Sequence, residues 1–365
     1  MEENGKRRLA TALVALAGVV YFFVCAIPLP KELVLEPRWS KVLPRASAIL
    51  AADKAAPAGP SVHSFRLRES YGYFSEDGSF LAAAQPPFGV AVSDSAYVAY
   101  ERLPDFLSLR TVDGQEAARI HEPGYPFFGG GRIFVISPGQ SSVAEIGKDG
   151  RALWRRDFAS IVTAFDASPG LALFGLLDGS LVGLDGHGDE SLKFSPGGSR
   201  IPGIYGCAVS PDGTMAAALC GLDKQRVVIL EKRSTAYRVT WHRFLDSDFR
   251  RPVAMNFTED GRFLVYEQPS ALAIYDCGTR KEARVATDSL YRIGPFSPAR
   301  NMVLAIEGAE SRHRLFGASP DGRRLFSLPF RGDDAAILRS GDALFLAVVA
   351  EDGHSDLLRL DIKEE

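Results

Sequence analysis

The chain has 365 residues, 46% of them hydrophobic and 24% charged, the make-up of a globular protein with a real core. Its 42 basic and 45 acidic side chains leave a formal charge of −3, and no concentrated basic surface marks nucleic acid as a partner. The pairs Arg155-Arg156, Arg250-Arg251 and Arg323-Arg324 stand far apart and read as solvated loop or edge residues.

The N-terminus begins with polar residues 1–8, ending in Lys6, Arg7 and Arg8, followed by an uncharged apolar run from Leu9 to Pro30. A run of about 20 such residues is long enough to cross a bilayer as a helix, and the preceding cations favour a cytoplasmic N-terminus. Residues 9–30 are therefore expected to form a transmembrane helix in the cytoplasmic membrane. The remainder would then lie on the periplasmic or extracytoplasmic side. No convincing small-residue cleavage site follows the run, and Phe23 and Val24 before Cys25 are too bulky for a lipoprotein signal. Residues 31–60 read as a linker: Pro37 and Pro44 interrupt any helix, and AAPAGP closes the stretch. Trp39 is placed either for a membrane interface or for packing on the following domain.

From Ser61 to Glu365 short apolar or alternating runs such as RIFVIS, RVVILE, FLVYE and ALFLAVVA are punctuated by Gly, Asp, Pro and Ser. That is the pattern of strands joined by tight turns, an all-β region. Turns of one type fall near Gly78, Gly130, Gly170, Gly213, Gly261, Arg300 and Gly341, at separations of 52, 40, 40, 48, 39 and 41 residues. A second series follows at VDGQ, KDGR, LDGHG, EKRST, DCGTR and SPDGR. A repeat of about 40–45 residues with four strands predicts a β-propeller. Seven four-stranded blades fit, with the strand SVHSFRLR after Ser61 pairing with the last blade to close the ring. The first and fourth units are long, which leaves six and eight blades open.

These units resemble the WD40-like and quinoprotein-like (PQQ-like repeat) propeller families. VAEIGKDGRALWRRDF, from Val143, is similar to a quinoprotein-type repeat, and SPDG at Ser210 and TEDG at Thr258 are similar to WD40-like first hairpins. The resemblance implies that Trp154, and Trp241 one blade later, dock neighbouring blades. It covers the repeat pattern only. Trp-Asp dipeptides are absent, and a bacterial outer-membrane assembly lipoprotein uses such blades without a quinone, so no cofactor is carried over.

Four cysteines make no disulfide framework in a domain of this size. Turn geometry sets Cys207 opposite Ala216 or Ala217, so a bridge to Cys220 is not expected. The six histidines share no metal-ligand spacing, and DGHGDE at Asp185 lacks the alternating acids of a calcium loop. No nucleophile elbow, phosphate loop or Rossmann fingerprint occurs. No catalytic residue, cofactor or metal is predicted. GYPFFGGGR, from Gly124, is the oddest stretch; its glycines admit a close ligand or partner, or simply form a blade turn. The expected function is that of a protein–protein interaction scaffold in a cell-envelope assembly, with Tyr125, Phe127, Phe128, Phe249, Arg250 and Arg251 as partner contacts. The alternative is an enzyme or small-ligand sensor with its site in the central channel.

Overall fold

The computed structural model describes residues 14–16, 21, 33–43, 62–102 and 104–364. Within these, the strands form eight antiparallel sheets, and residues 35–362 make one compact unit. Blade 1 has three strands: Val62–Arg66, Tyr71–Ser75 and Phe80–Ala84. Blades 2 to 7 have four each, with inner strands Gly89–Val92, Tyr125–Gly129, Val162–Ala167, Ile204–Val209, Met255–Phe257 and Leu290–Ser297. Blade 8 has Asp334–Ser340, Ala343–Val349 and Ser355–Glu364, and its fourth, outer strand is Leu33–Val42 from the other end of the chain.

Blade 5 shows why this sequence folds so. In the turn after Val209, the Gly213 amide donates to Ser210 O at 2.8 Å, and Asp212 Oδ1 accepts from the Thr214 amide at 3.0 Å. Gly213 holds φ at +70°, a region that costs an L side chain strain. The next strand carries Ala216, Ala217 and Ala218 with no exposed surface, because sheets of neighbouring blades cover both faces. Each apolar cluster is accordingly shared by two blades. Leu171, Leu173 and Leu181 of blade 4 meet Cys207, Ala218 and Leu230 of blade 5; Phe263 and Ile274 of blade 6 meet Val303 and Phe316 of blade 7. Cys207 pairs in register with Ala218, and Cys207 and Cys220 are free thiols.

The expectation of seven blades is corrected to eight. Gly78 closes the hairpin between the last two strands of blade 1, and the outer-hairpin glycines Gly114 and Gly150 follow it at intervals of 36 residues. Reading Gly78 as a first-hairpin turn fused blades 1 and 2 into one long unit. The closing strand also differs. Val62–Arg66 pairs with Tyr71–Ser75 inside blade 1, whereas Leu33–Val42, in the stretch read as a linker, completes blade 8. Trp39 on that strand packs against Phe345 at 6.0 Å.

The expectation of a transmembrane helix over Leu9–Pro30, and of a single-pass cytoplasmic-membrane protein, is likewise not retained. Among the described residues no helix is long and apolar enough to cross a membrane. Most of the Leu9–Pro30 run lies outside the described residues, of which only 14–16 and 21, all helical, fall in it.

Candidate functional site

The inner strands of blades 2 to 8 run the same way around the axis. Their starts define an upper face and their ends a lower face. Blade 1 is set by its neighbours: the Arg68 amide, in its first turn, donates to Asp334 at the start of the blade 8 inner strand, while Ser340 Oγ at that strand's end donates to Glu76 at 3.0 Å. The described strands of blade 1 thus begin with one that runs from the lower to the upper face.

Two cavities lie along the axis, and Asn256 lines both. The upper one, about 860 Å³, is walled by Tyr100, Tyr125, Phe127, Phe165 and Tyr205, with Arg250 and Arg251 at its side. Rings continue from the rim inwards: Phe88 meets Tyr100 edge-on at 6.2 Å, Tyr100 meets Tyr125 at 6.2 Å, and Phe127 meets Phe165 at 5.8 Å. Burial pushes the Tyr100 phenol above its ordinary value, and the nearby Arg66 guanidinium acts against that.

The loop bearing Phe249, Arg250 and Arg251 is held by one buried side chain. Gln225 Nε2 donates to Phe249 O at 2.6 Å, and its Oε1 accepts from the Phe249 amide at 3.0 Å and from Ser247 Oγ at 2.7 Å. Arg251 forks onto Glu267, donating at 3.0 and 2.5 Å, and lies 4.9 Å from the Phe249 ring centre. Glu267 is 6% exposed in that pair and Arg251 55%, so the charge of Arg251 is matched from behind.

The lower cavity, about 470 Å³, is lined by the turn residues Gly130, Ser168 and Pro211, the carboxylates Asp166 and Glu259, and apolar groups such as Ile293, Phe296 and Ile337. Asp166 keeps a little surface on the channel but is otherwise enclosed, and burial pushes its carboxyl up to about 6. Its two oxygens accept at 2.8 Å from the amides of Ala167 and of Val209 in the next blade, which hold part of the charge in place. Arg339 of blade 8 pairs with Glu259 of blade 6 across the end of blade 7.

The structure brings together four of the six contact residues expected from sequence: Tyr125, Phe127, Arg250 and Arg251 line the upper cavity. Phe249 lies behind the loop in the cluster shared by blades 5 and 6. Phe128 alternates to the other side of its strand and packs between blades 2 and 3. Trp154 sits between blades 3 and 4, against Phe134 at 6.2 Å, and Trp241 lies on Tyr275 of blade 6 at 4.4 Å. Asn256 faces the channel, and Thr258 two residues on is buried. Among the described residues no group of three or more His, Cys, Asp or Glu side chains is placed to hold a metal ion.

Sequence reasoning missed the rim. Phe88, Phe106, Ile161, Leu177, Ile201 and Phe244 are exposed, and all six stand in upper-face loops or strand ends from blade 2 to blade 5. Elsewhere Leu153 is exposed at the lower end of its strand, Val42 at the end of the outer strand of blade 8 and Val239 within the outer strand of blade 5. The missing signal was positional: once blade registers are known, the six rim residues recur where the chain passes over the upper face.

Eight radial sheets around an open axis define a β-propeller. The family model described as beta-propeller protein matches residues 1–364, and the chain belongs to that family. An uncharacterized protein of Treponema pallidum (strain Nichols) is 27% identical over 361 residues, covering 95% of this chain and 93% of that one. Among solved structures, BamB from Moraxella catarrhalis is 12% identical with a TM-score of 0.59, covering 89% of this chain and 100% of its own. The complex of KlAtg21 with the coiled coil of AgAtg16 gives a match of 12% identity and TM-score 0.55, covering 72% of this chain and 93% of the other. At these identities the likeness to solved structures concerns the fold.

Proposed function

We propose that the protein is a protein–protein interaction scaffold whose partners dock on the upper face, over the arc from blade 2 to blade 5. The observation that carries this is the gathering of Phe88, Phe106, Ile161, Leu177, Ile201 and Phe244 on the upper side of one arc of blades. Scattered exposed apolar residues need no explanation, but a collection of them on one face marks a contact surface. Arginines flank it: Arg119 lies 4.4 Å over Phe106 and Arg226 5.7 Å from the Phe244 ring centre, a pairing enriched where partners bind. The blade grammar is spent on docking blade to blade, as Trp154 and Trp241 do, and this supports a rigid display disc. Envelope proteins are the partners this reading assigns, supported by the likeness of the blades to those of an outer-membrane assembly lipoprotein. The likeness to a propeller solved with a coiled coil supports the same use of the fold.

Crosslinking and affinity capture of the full chain, read by mass spectrometry, test the proposal. A triple variant Leu177→Asp, Ile201→Asp and Phe244→Ser is expected to lose its partners while keeping the fold, and Leu153→Asp to keep them. Equal capture by both variants sinks the assignment of the upper face.

A further inference from the structure

The upper cavity combines apolar walls with unmatched positive charge. Among its described lining residues none is acidic, and the charged ones are Arg250 and Arg251. Arg251 is held by Glu267. Arg250 is exposed. Arg66, at the end of the first blade 1 strand, is exposed outside the lining, near enough for its charge to act on the Tyr100 phenol. Among the described residues neither Arg66 nor Arg250 makes an ion pair with a carboxylate of this chain. A guanidinium left unmatched beside apolar surface is set to form charge-assisted, two-pronged hydrogen bonds to an incoming carboxylate. The lower cavity has Asp166 and Glu259 among its described lining residues, and there Glu259 is paired with Arg339.

We infer that the upper cavity receives an acidic peptide segment of the docked partner, with an aromatic or aliphatic side chain among Tyr100, Tyr125, Phe127 and Phe165 and flanking Asp or Glu carboxylates on Arg66 and Arg250. A peptide is favoured over a free small molecule because the cavity is continuous with the docking rim: exposed Phe88 contacts Tyr100, which in turn contacts Tyr125. The inference rests on the scaffold reading for its partner but concerns a separate contact. The cavity supplies a pocket for one anchor side chain, and the arginines choose the charge beside it.

The test is fluorescence anisotropy of the full chain with a fluorescein-labelled decapeptide of alternating phenylalanine and glutamate. Two twins carry glutamine or lysine in place of glutamate. The glutamate peptide is expected to bind about tenfold more tightly than the glutamine twin, and the lysine twin more weakly than either. Arg66→Ala with Arg250→Ala is expected to remove that advantage and leave the glutamine twin unchanged. Both positions are exposed, and circular dichroism checks the fold of the variant. Equal binding of the two uncharged and acidic peptides, preference for lysine, no binding at all, or an unaltered preference in the double variant overturns the inference. Partner capture that depends on the rim while the peptide fails overturns this inference and leaves the scaffold standing. Peptide binding with no captured partner overturns the scaffold reading and upholds the cavity's preference.

Discussion

At the lower end of the axis, turns rest directly on one another. A Cβ on Gly130 would lie 2.2 Å from the backbone carbon of Ser168, and one on Gly213 would lie 3.2 Å from the Ser168 hydroxyl. The upper end is made of longer connections; the one at 245–254 is tied by backbone bonds at its two ends (Leu245 to Gln225 O, Val253 to Tyr205 O) and in its middle by the Gln225 side chain. The lower lining sets Asp166 and Glu259 among turn residues and aliphatic side chains, whereas the upper lining is aromatic and cationic. The difference teaches which end is free to vary: tight packed turns fix blade geometry, while longer loops anchored at their ends leave a middle stretch to shape a surface without disturbing the ring.

The sharpest way to break this comparison is to place a side chain in the lower turns. Gly130→Val adds a Cβ where backbone stands and forces φ = +58° on a branched residue, so a loss of about 3 kcal/mol or more is expected in urea unfolding. Gly131→Ala, at φ = +74° with open space around it, is expected to cost about 1 kcal/mol. Equal effects at the two positions would show that backbone conformation alone, not turn-on-turn packing, organises the lower end. At the upper end Gln225→Ala deletes three hydrogen bonds from a fully buried side chain, and a loss of about 2 kcal/mol is expected. Amide exchange should then rise in residues 245–251 and remain unchanged in the lower turns.

How much of this was legible in the sequence depends on what each residue signals. Strand and turn chemistry disclosed the propeller because Asp-Gly turns and apolar runs act locally. The blade count failed because the same chemistry serves two hairpins. SPDG at Ser210 closes the inner hairpin of blade 5, whereas SPDG at Ser319 closes the outer one of blade 7, with the same amide-to-carbonyl contact in each turn. Nothing local tells them apart, and SEDG at Ser75 was placed in the wrong series. The closing strand was hidden by Pro37, which a central strand would reject but an outer edge accepts. At the site, GYPFFGGGR drew notice to Tyr125 and Phe127, which line one cavity with Arg250, while Gly130 of the same stretch packs against the Ser168 turn of the next blade. Tyr100 and Tyr205 carried no signal, because their meeting in one cavity depends on blades 2 and 5 closing round the axis.

Acid titration sharpens the contrast in charge. Asp166 has its carboxyl raised from the usual range to about 6 by burial, so the folded state binds its proton more tightly than the unfolded chain does. Its contribution is most favourable below about pH 4 and is lost as pH rises through 6. Allowing for channel water, the stability difference between wild type and Asp166→Asn is expected to shift by about 2 kcal/mol in favour of the variant between pH 4 and pH 7. A difference that stays flat across that window would mean that the two backbone amides fully offset burial at the lower end.

The smallest effect is expected where the lower end looks most deliberately closed. Arg339 and Glu259 link blades 8 and 6, but Glu259 is 57% exposed while Arg339 is 15% exposed, so water screens the pair from one side. Glu259→Gln keeps the shape and removes the charge, and a loss of about 0.5 kcal/mol is expected at physiological salt, shrinking towards zero at about 1 M. The logic runs through Arg339, which also donates to Gly341 O at 2.8 Å and therefore keeps one acceptor when the carboxylate is gone. Should the variant instead lose as much as Gly130→Val, the lower end would be held by charge across the channel rather than by its turns. The contrast with the upper loops would then be one of electrostatics rather than of packing.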